Sequence, residues 1–113
     1  MKMKKTIHYD KDNDILLIHQ GFAKDERFKG NIDIDSLILD VSTKGKIRGV
    51  EIFKATNFFK EFKIGRKILE NINDAHLKAT IKPNYIALSI IIEAKNKKMP
   101  AKIAVPLEIP NCY

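Results

Sequence analysis

One cysteine, Cys112, is all this chain of 113 residues contains. An intramolecular disulfide is therefore excluded, and nothing points to an oxidising compartment. A thiol next to the C-terminus has no rigid partner to lower its pKa, so a catalytic cysteine is not expected. No apolar run approaches the ~20 residues needed to span a bilayer. The charged start Met1-Lys2-Met3-Lys4-Lys5 passes into Thr6 and His8 without a hydrophobic signal segment, so the expected location is the cytoplasm, with no membrane partner. Glycine is scarce, and Gly45, Gly49 and Gly65 make no phosphate-cradling pattern. His8, His19 and His76 include no pair at ligand spacing, so neither a metal site nor a cofactor is expected. Low-complexity tracts, linkers and solenoid repeats are missing too.

The hydrophobic fraction of 44% fits an ordered globular protein. A chain of this size buries roughly two-thirds of its unfolded surface and builds one core without staples. The net charge of +7 is unevenly placed. Residues 1–53 hold ten Lys/Arg against nine Asp/Glu, while residues 54–113 hold eleven against five. The positive potential therefore belongs to the C-terminal half. It serves solubility, or it marks a face for nucleic acid or an acidic partner.

The stretch Leu37–Phe53 organises the pattern. Two β-rich runs flank Thr43-Lys44-Gly45-Lys46, which predicts a hairpin. With Ser42 opposite Ile47, residues Leu37, Leu39 and Val41 share an apolar face with Arg48, Val50 and Ile52. Asp40 and Glu51 then stand as diagonal neighbours on the other face. Upstream, Thr6–Tyr9 and Ile15–His19 read as short strands around the turn Asp10-Lys11-Asp12-Asn13. The segment from Gly21 to Gly30 reads as a loop or poorly paired edge. Asn31–Asp35 alternates, and the phase change before Leu37 places a turn or bulge at Asp35-Ser36.

After Phe53 the period becomes helical. Ala55, Phe58, Phe59 and Phe62 fall on one face, with Thr56 or Asn57 as cap and Gly65 as stop. Ile68, Leu69 and Ile72 extend the helical spacing to Asn73. Three strands follow, around Ala75–Ile81, Tyr85–Glu93 and Ala101–Ile109, with turns at Pro83-Asn84 and Lys95-Asn96-Lys97-Lys98. Pro100, Pro106 and Pro110 put the last strand on an edge. The expected fold is α+β: a mostly antiparallel sheet of about seven or eight short strands with one main helix packed on it. The expected organisation is one domain over 1–113, with N-terminal hairpins (1–53), a helical segment (54–73) and a C-terminal three-stranded meander (74–110).

Chemistry is thin. Asp10-Lys11-Asp12-Asn13-Asp14 starts like a calcium loop, but the sixth and twelfth positions are Ile15 and Gly21, so a hairpin turn accounts for it better. Asp40 and Glu51 are the best acid pair and suit a hydrolase if burial splits their pKa values; no nucleophile or oxyanion hole is evident beside them. Lys78, Lys82, Tyr85 and Lys102 could form one nucleic-acid face, with the ring for stacking and the lysines for phosphates. Ala87, Ser89 and Ile91 form a nearly uncharged strip opposite Ile86, Leu88, Ile90 and Ile92, which suits an interface between identical copies.

Tyr9, Asp10, Asp14, Leu16 and Ile18 fit a pattern Y-D-x-x-x-D-x-L-x-I. Asp35, Ile38, Leu39 and Asp40 follow, then Gly45, Ile47, Gly49, Val50, Glu51 and Ile52. Over about residues 7–60 the chain resembles a family of small prokaryotic domains of unknown function. Longer, archaeal-looking members add a tail similar to His76–Ile109, including the step Pro83-Asn84-Tyr85. The resemblance implies no reaction. Some short members sit beside toxin–antitoxin-like genes, which implies a binding role. The leading expectation is a non-enzymatic protein-binding or self-assembling module, homo-oligomeric or antitoxin-like. The alternatives are a basic nucleic-acid-binding domain and a hydrolase.

Overall fold

The computed structural model describes residues 4–107. Within them the chain forms eight strands in two antiparallel sheets. The first sheet holds β1 (Thr6–Asp10), β2 (Ile15–His19), β3 (Phe28–Ile34), β4 (Leu37–Ser42) and β5 (Ile47–Phe53), in the spatial order β1-β2-β5-β4-β3. The second is the meander β6 (Ile72–Ile81), β7 (Tyr85–Ala94) and β8 (Lys97–Pro106).

Alternation builds both sheets. On the inner face of the first lie Leu16, Ile18, Leu37, Leu39, Val50 and Ile52, all buried. From the second, Ala75, Leu77, Ile86, Leu88, Ile90 and Ile92 join the same apolar cluster. Both sheets therefore share one core, and Gln20 ties them by donating from Nε2 to the Leu77 carbonyl at 2.8 Å. Among the described residues no helix is long and apolar enough to cross a membrane.

The helical segment differs from expectation. In place of one main helix there are α1 (Ala55–Phe58), a 3-10 turn (Lys60–Phe62) and α2 (Arg66–Glu70). Neither Thr56 nor Asn57 caps α1, which is entered through Lys54 in the left-handed conformation, and Lys63 leaves the 3-10 turn with the same hand. Gly65 does not stop a helix; it precedes α2. The reason is length. Ala55 and Phe59 are buried but Phe58 and Phe62 only in part, so the stripe covers one turn before the chain must bend to bring Ile64 and Leu69 into the core. Helicity also ends sooner than the spacing suggests: Ile72 and Asn73 already belong to β6.

The central hairpin keeps the expected register from Leu37–Ile52 to Asp40–Gly49, then shifts so that Val41 faces Ile47. Arg48 is the extra residue of this bulge. It therefore leaves the apolar face on which simple alternation placed it, and Ile47 is buried instead. The segment 21–30 is not all loop, since Phe28–Gly30 opens β3 on the sheet edge. The first hairpin pairs Tyr9 with Leu16 and Ile7 with Ile18, so Leu16 and Ile18 are buried while His8 and His19 lie on the opposite face. Asp35-Ser36 is a turn, as the phase change requires. In the meander the last turn is only Lys95-Asn96, both left-handed, so Lys97 and Lys98 belong to β8. Such a pair of positive φ values makes a tight hairpin whose twist matches its strands. The proposed strand residue Ile109, together with Pro110 and Cys112, lies outside the described residues.

Candidate functional site

The outer face of the meander carries the residues proposed for an interface and for nucleic acid. Its composition follows from register. Asp74 pairs with Glu93 and Glu93 with Lys98; His76 lies opposite Ile91 and Ile91 opposite Pro100; Lys78 and Lys102 flank Ser89; Thr80 and Ala104 flank Ala87. Alternation then puts Ala87, Ser89 and Ile91 outside, partly exposed, while Ile86, Leu88, Ile90 and Ile92 are buried. Tyr85 continues the outer row and is 39% exposed. Pro83-Asn84 turns the chain between Lys82 and Tyr85, with the Lys82 amide donating to the Tyr85 carbonyl at 2.8 Å. A shallow groove of about 470 Å³ is lined there by Lys78, Thr80, Ala87, Ser89, Lys102 and Ala104. Residues considered separately for an interface and for nucleic acid thus share one face.

Asp40 and Glu51 are diagonal neighbours on the outer face of the five-stranded sheet, because Asp40 faces Gly49 and Glu51 faces Ile38. Asp40 has partners of its own. Asp40 accepts from Asn31 Nδ2 at 2.6 Å and lies 3.7 Å from His19 Nε2. His19 Nδ1 accepts the Gly21 amide at 2.8 Å, and the ring stands edge-on to Phe22. This row needs Gly49: a Cβ there would meet His19 Cδ2 at 2.4 Å. His8 shares this outer face with His19, opposite Leu17.

Three acids apart from Asp40 and Glu51 do more. Glu26 is buried, accepts both contacts of Arg48 Nε at 3.0 Å and the Ala23 amide at 2.9 Å, and takes the Ser42 hydroxyl. The Arg48 guanidinium, with the Ala23 amide and Ser42, overcomes burial and holds its carboxyl down to about 2. Arg48 reaches it because the bulge turned it away from the core. Asp14, left-handed at the end of the first turn, accepts Tyr9 Oη at 2.6 Å, the Thr56 hydroxyl at 2.6 Å and the Thr56 amide. It thereby caps α1 from another part of the chain. Burial pushes the Asp14 carboxyl up, but the bonds from Thr56 and Tyr9 outweigh it and hold it below the usual range. Burial, with the Asp14 hydrogen bond, pushes Tyr9 up to about 12. Asp10 folds its own turn, accepting the Asp12 and Asn13 amides at 3.1 and 3.2 Å. Asp10 and Asp14 of this turn are therefore structural.

A further group is Asp74, His76 and Glu93, whose ligand atoms all lie within 4.8 Å of one another. A search for paired histidines passes over it. An i, i+2 spacing on one strand, joined to an acid across the ladder, was the available signal.

Residues 6–55 match the model of a family described as "Protein of unknown function (DUF2283)". No solved structure matches the chain significantly. A protein of Methanosarcina mazei, named as a candidate hypoxanthine phosphoribosyltransferase, is 24% identical over 91 residues, covering 79% of this chain and 69% of its own. An uncharacterized protein of Methanocaldococcus jannaschii is 29% identical over 96 residues, covering 85% of this chain and 78% of its own. The chain is thus similar across its first sheet to a small-domain family of unknown function, and across most of its length to archaeal proteins.

Proposed function

We propose that this protein is a non-enzymatic self-assembling module whose contact surface is the outer face of β6–β8. The observation that carries this is the partly exposed strip Ala87, Ser89 and Ile91 on the middle strand of that face. A second copy fits it by register. A twofold axis crossing the strands between Ala87 and Ser89 lays the Lys78-Ser89-Lys102 row over the Thr80-Ala87-Ala104 row of the second copy. Lysine stems then cover threonine and alanine, with no lysine facing lysine. The same axis sets Ile91 against Tyr85 of the second copy, two side chains otherwise left wet. Such an isologous contact is the commonest arrangement among soluble oligomers.

Light scattering at tens of micromolar tests this. The wild type should be an oligomer, and Ile91→Lys and Ala87→Arg should lower its mass with unchanged circular dichroism. A monomeric wild type sinks the proposal.

A second reading is favoured by Lys78, Lys82, Lys102 and Tyr85 on the same face: a basic, sequence-blind nucleic-acid surface. Anisotropy of labelled single- and double-stranded oligonucleotides should then fall steeply with salt. The Asp40 and Glu51 hydrolase finds less support, since Asp40 is engaged by Asn31. Phosphoribosyl transfer, the activity in the Methanosarcina protein's name, would need a phosphate cradle, and Gly49 serves strand packing.

A further inference from the structure

At the end of the open face farthest from Tyr85, Asp74 and His76 sit two residues apart on β6, and Glu93 stands opposite Asp74 on β7. All three side chains leave the same face of two rigidly paired strands. His76 Nε2 lies 2.8 Å from Glu93 Oε2 and 3.6 Å from Asp74 Oδ2. A tetrahedral zinc-like ion with bonds of about 2.0–2.2 Å holds its ligand atoms roughly 3.3–3.5 Å apart. The two distances straddle that spacing, so small side-chain rotations would close the site.

We propose that Asp74, His76 and Glu93 bind one divalent transition-metal ion of the zinc type, through His76 Nε2 and one oxygen of each carboxylate. An imidazole with two carboxylates is a borderline donor set, suited to such ions rather than to calcium, which takes oxygen alone. The supporting contacts are already in place. Asp74 Oδ1 accepts the Ala75 amide at 2.8 Å and Lys5 Nζ at 2.9 Å, which turns Oδ2 toward the ring. Lys5 Nζ also lies 3.4 Å from His76 Nδ1. Binding through Nε2 keeps the ring proton on Nδ1, so Lys5 must turn from the ring to Asp74 Oδ1, which it already donates to at 2.9 Å. His76 and Asp74 are 46% and 39% exposed, so the fourth position opens to water. Three protein ligands and one open position can hold an exogenous ligand as well as a water. The site adjoins the proposed self-contact, because His76 is level with Ile91, but it is built from one chain and does not depend on that contact.

Calorimetry with zinc chloride on the full chain, in a Cys112→Ser background, tests the site. One ion should bind per chain. His76→Ala should weaken binding by more than about tenfold, and Glu93→Gln by about tenfold. Both variants should keep the wild-type circular dichroism, because the side chains lie at the surface. Cobalt(II) should add a visible absorption that His76→Ala abolishes. No one-site binding, or binding unchanged in both variants, overturns the proposal.

Discussion

The two sheets obey the same alternation and share one core, yet their outer surfaces are built differently. On the five-stranded sheet the polar side chains bind one another. Asn31, Asp40 and His19 form a row closed over Gly49, while Glu26 locks the loop before β3 to the bulge at Arg48. Asp14 joins the first hairpin to α1. The meander carries Ala87, Ser89, Ile91 and Ala104 in its outer rows, with lysines only beside Ser89, and among the described residues no such network crosses its middle rows. Polar groups that satisfy each other are spent on folding. A small-residue face without them has surface left for a partner.

The sharpest break in this comparison lies within a single strand. Ile90 and Ile91 are neighbours with opposite faces, and Ile90 is fully buried. Ile90→Ala should cost about 2–5 kcal/mol through lost contacts and a cavity in the shared core. Ile91→Ala should cost about 1 kcal/mol or less in the monomer while weakening assembly. Denaturant unfolding under dilute conditions separates them, and equal losses would show that both faces are core.

Next in size is the Glu26 lock. Glu26→Gln removes the charge that Arg48 faces and should lower the melting temperature at neutral pH. The sign with pH is fixed. A carboxyl whose folded pKa is depressed from 4.5 to about 2 stabilises the fold above 4.5, and that contribution fades as pH falls through this window. Melting curves of wild type and Glu26→Gln should therefore converge between about pH 4.5 and 2. A constant gap across that range would assign the effect to shape rather than charge.

Much of this was legible in the residues. Period-two alternation placed most of the eight strands and their faces, because one face of each strand is buried and register follows burial. The phase change at Asp35-Ser36 gave the turn directly. Three things were hidden. The bulge at Arg48 needs knowledge of Glu26, twenty-two residues earlier, which draws the guanidinium away from the core. The phenylalanine stripe looked like one helix because spacing does not record that Ile64 must reach the core. The Asp74, His76 and Glu93 group joins residues across a ladder, so it appears only once β6 and β7 are paired.

Asp14 sharpens the reading of the family-like residues as structural. Asp14→Ala removes the acceptor that serves the Thr56 amide and should cost about 1 kcal/mol, a typical helix-cap loss. It also removes a cause of the raised Tyr9 pKa, so the phenol should titrate below its present value of about 12. Tyr9 adds a sign of its own. Its folded pKa lies above 10, so its contribution is complete below 10 and is lost as pH rises toward 12. Ultraviolet titration of wild type and Asp14→Ala reads the shift, and an unmoved Tyr9 would break the link.

The smallest effect is expected where catalysis was first considered. Glu51 sits on the outer face between Leu17 and Ile38, partly exposed. Glu51→Gln keeps the shape and should change stability by no more than about 0.5 kcal/mol. Asp40→Asn keeps an acceptor for Asn31 but removes the charge near His19, so its effect should be somewhat larger and should shrink with salt. Neither variant should lose an activity that the wild type has, because Asp40 is already engaged by Asn31 and lies beside His19. A broad hydrolase screen on both variants decides this. An activity found in the wild type and missing from both would make the outer face of the five-stranded sheet a reaction site, and would reverse the contrast between the two sheets.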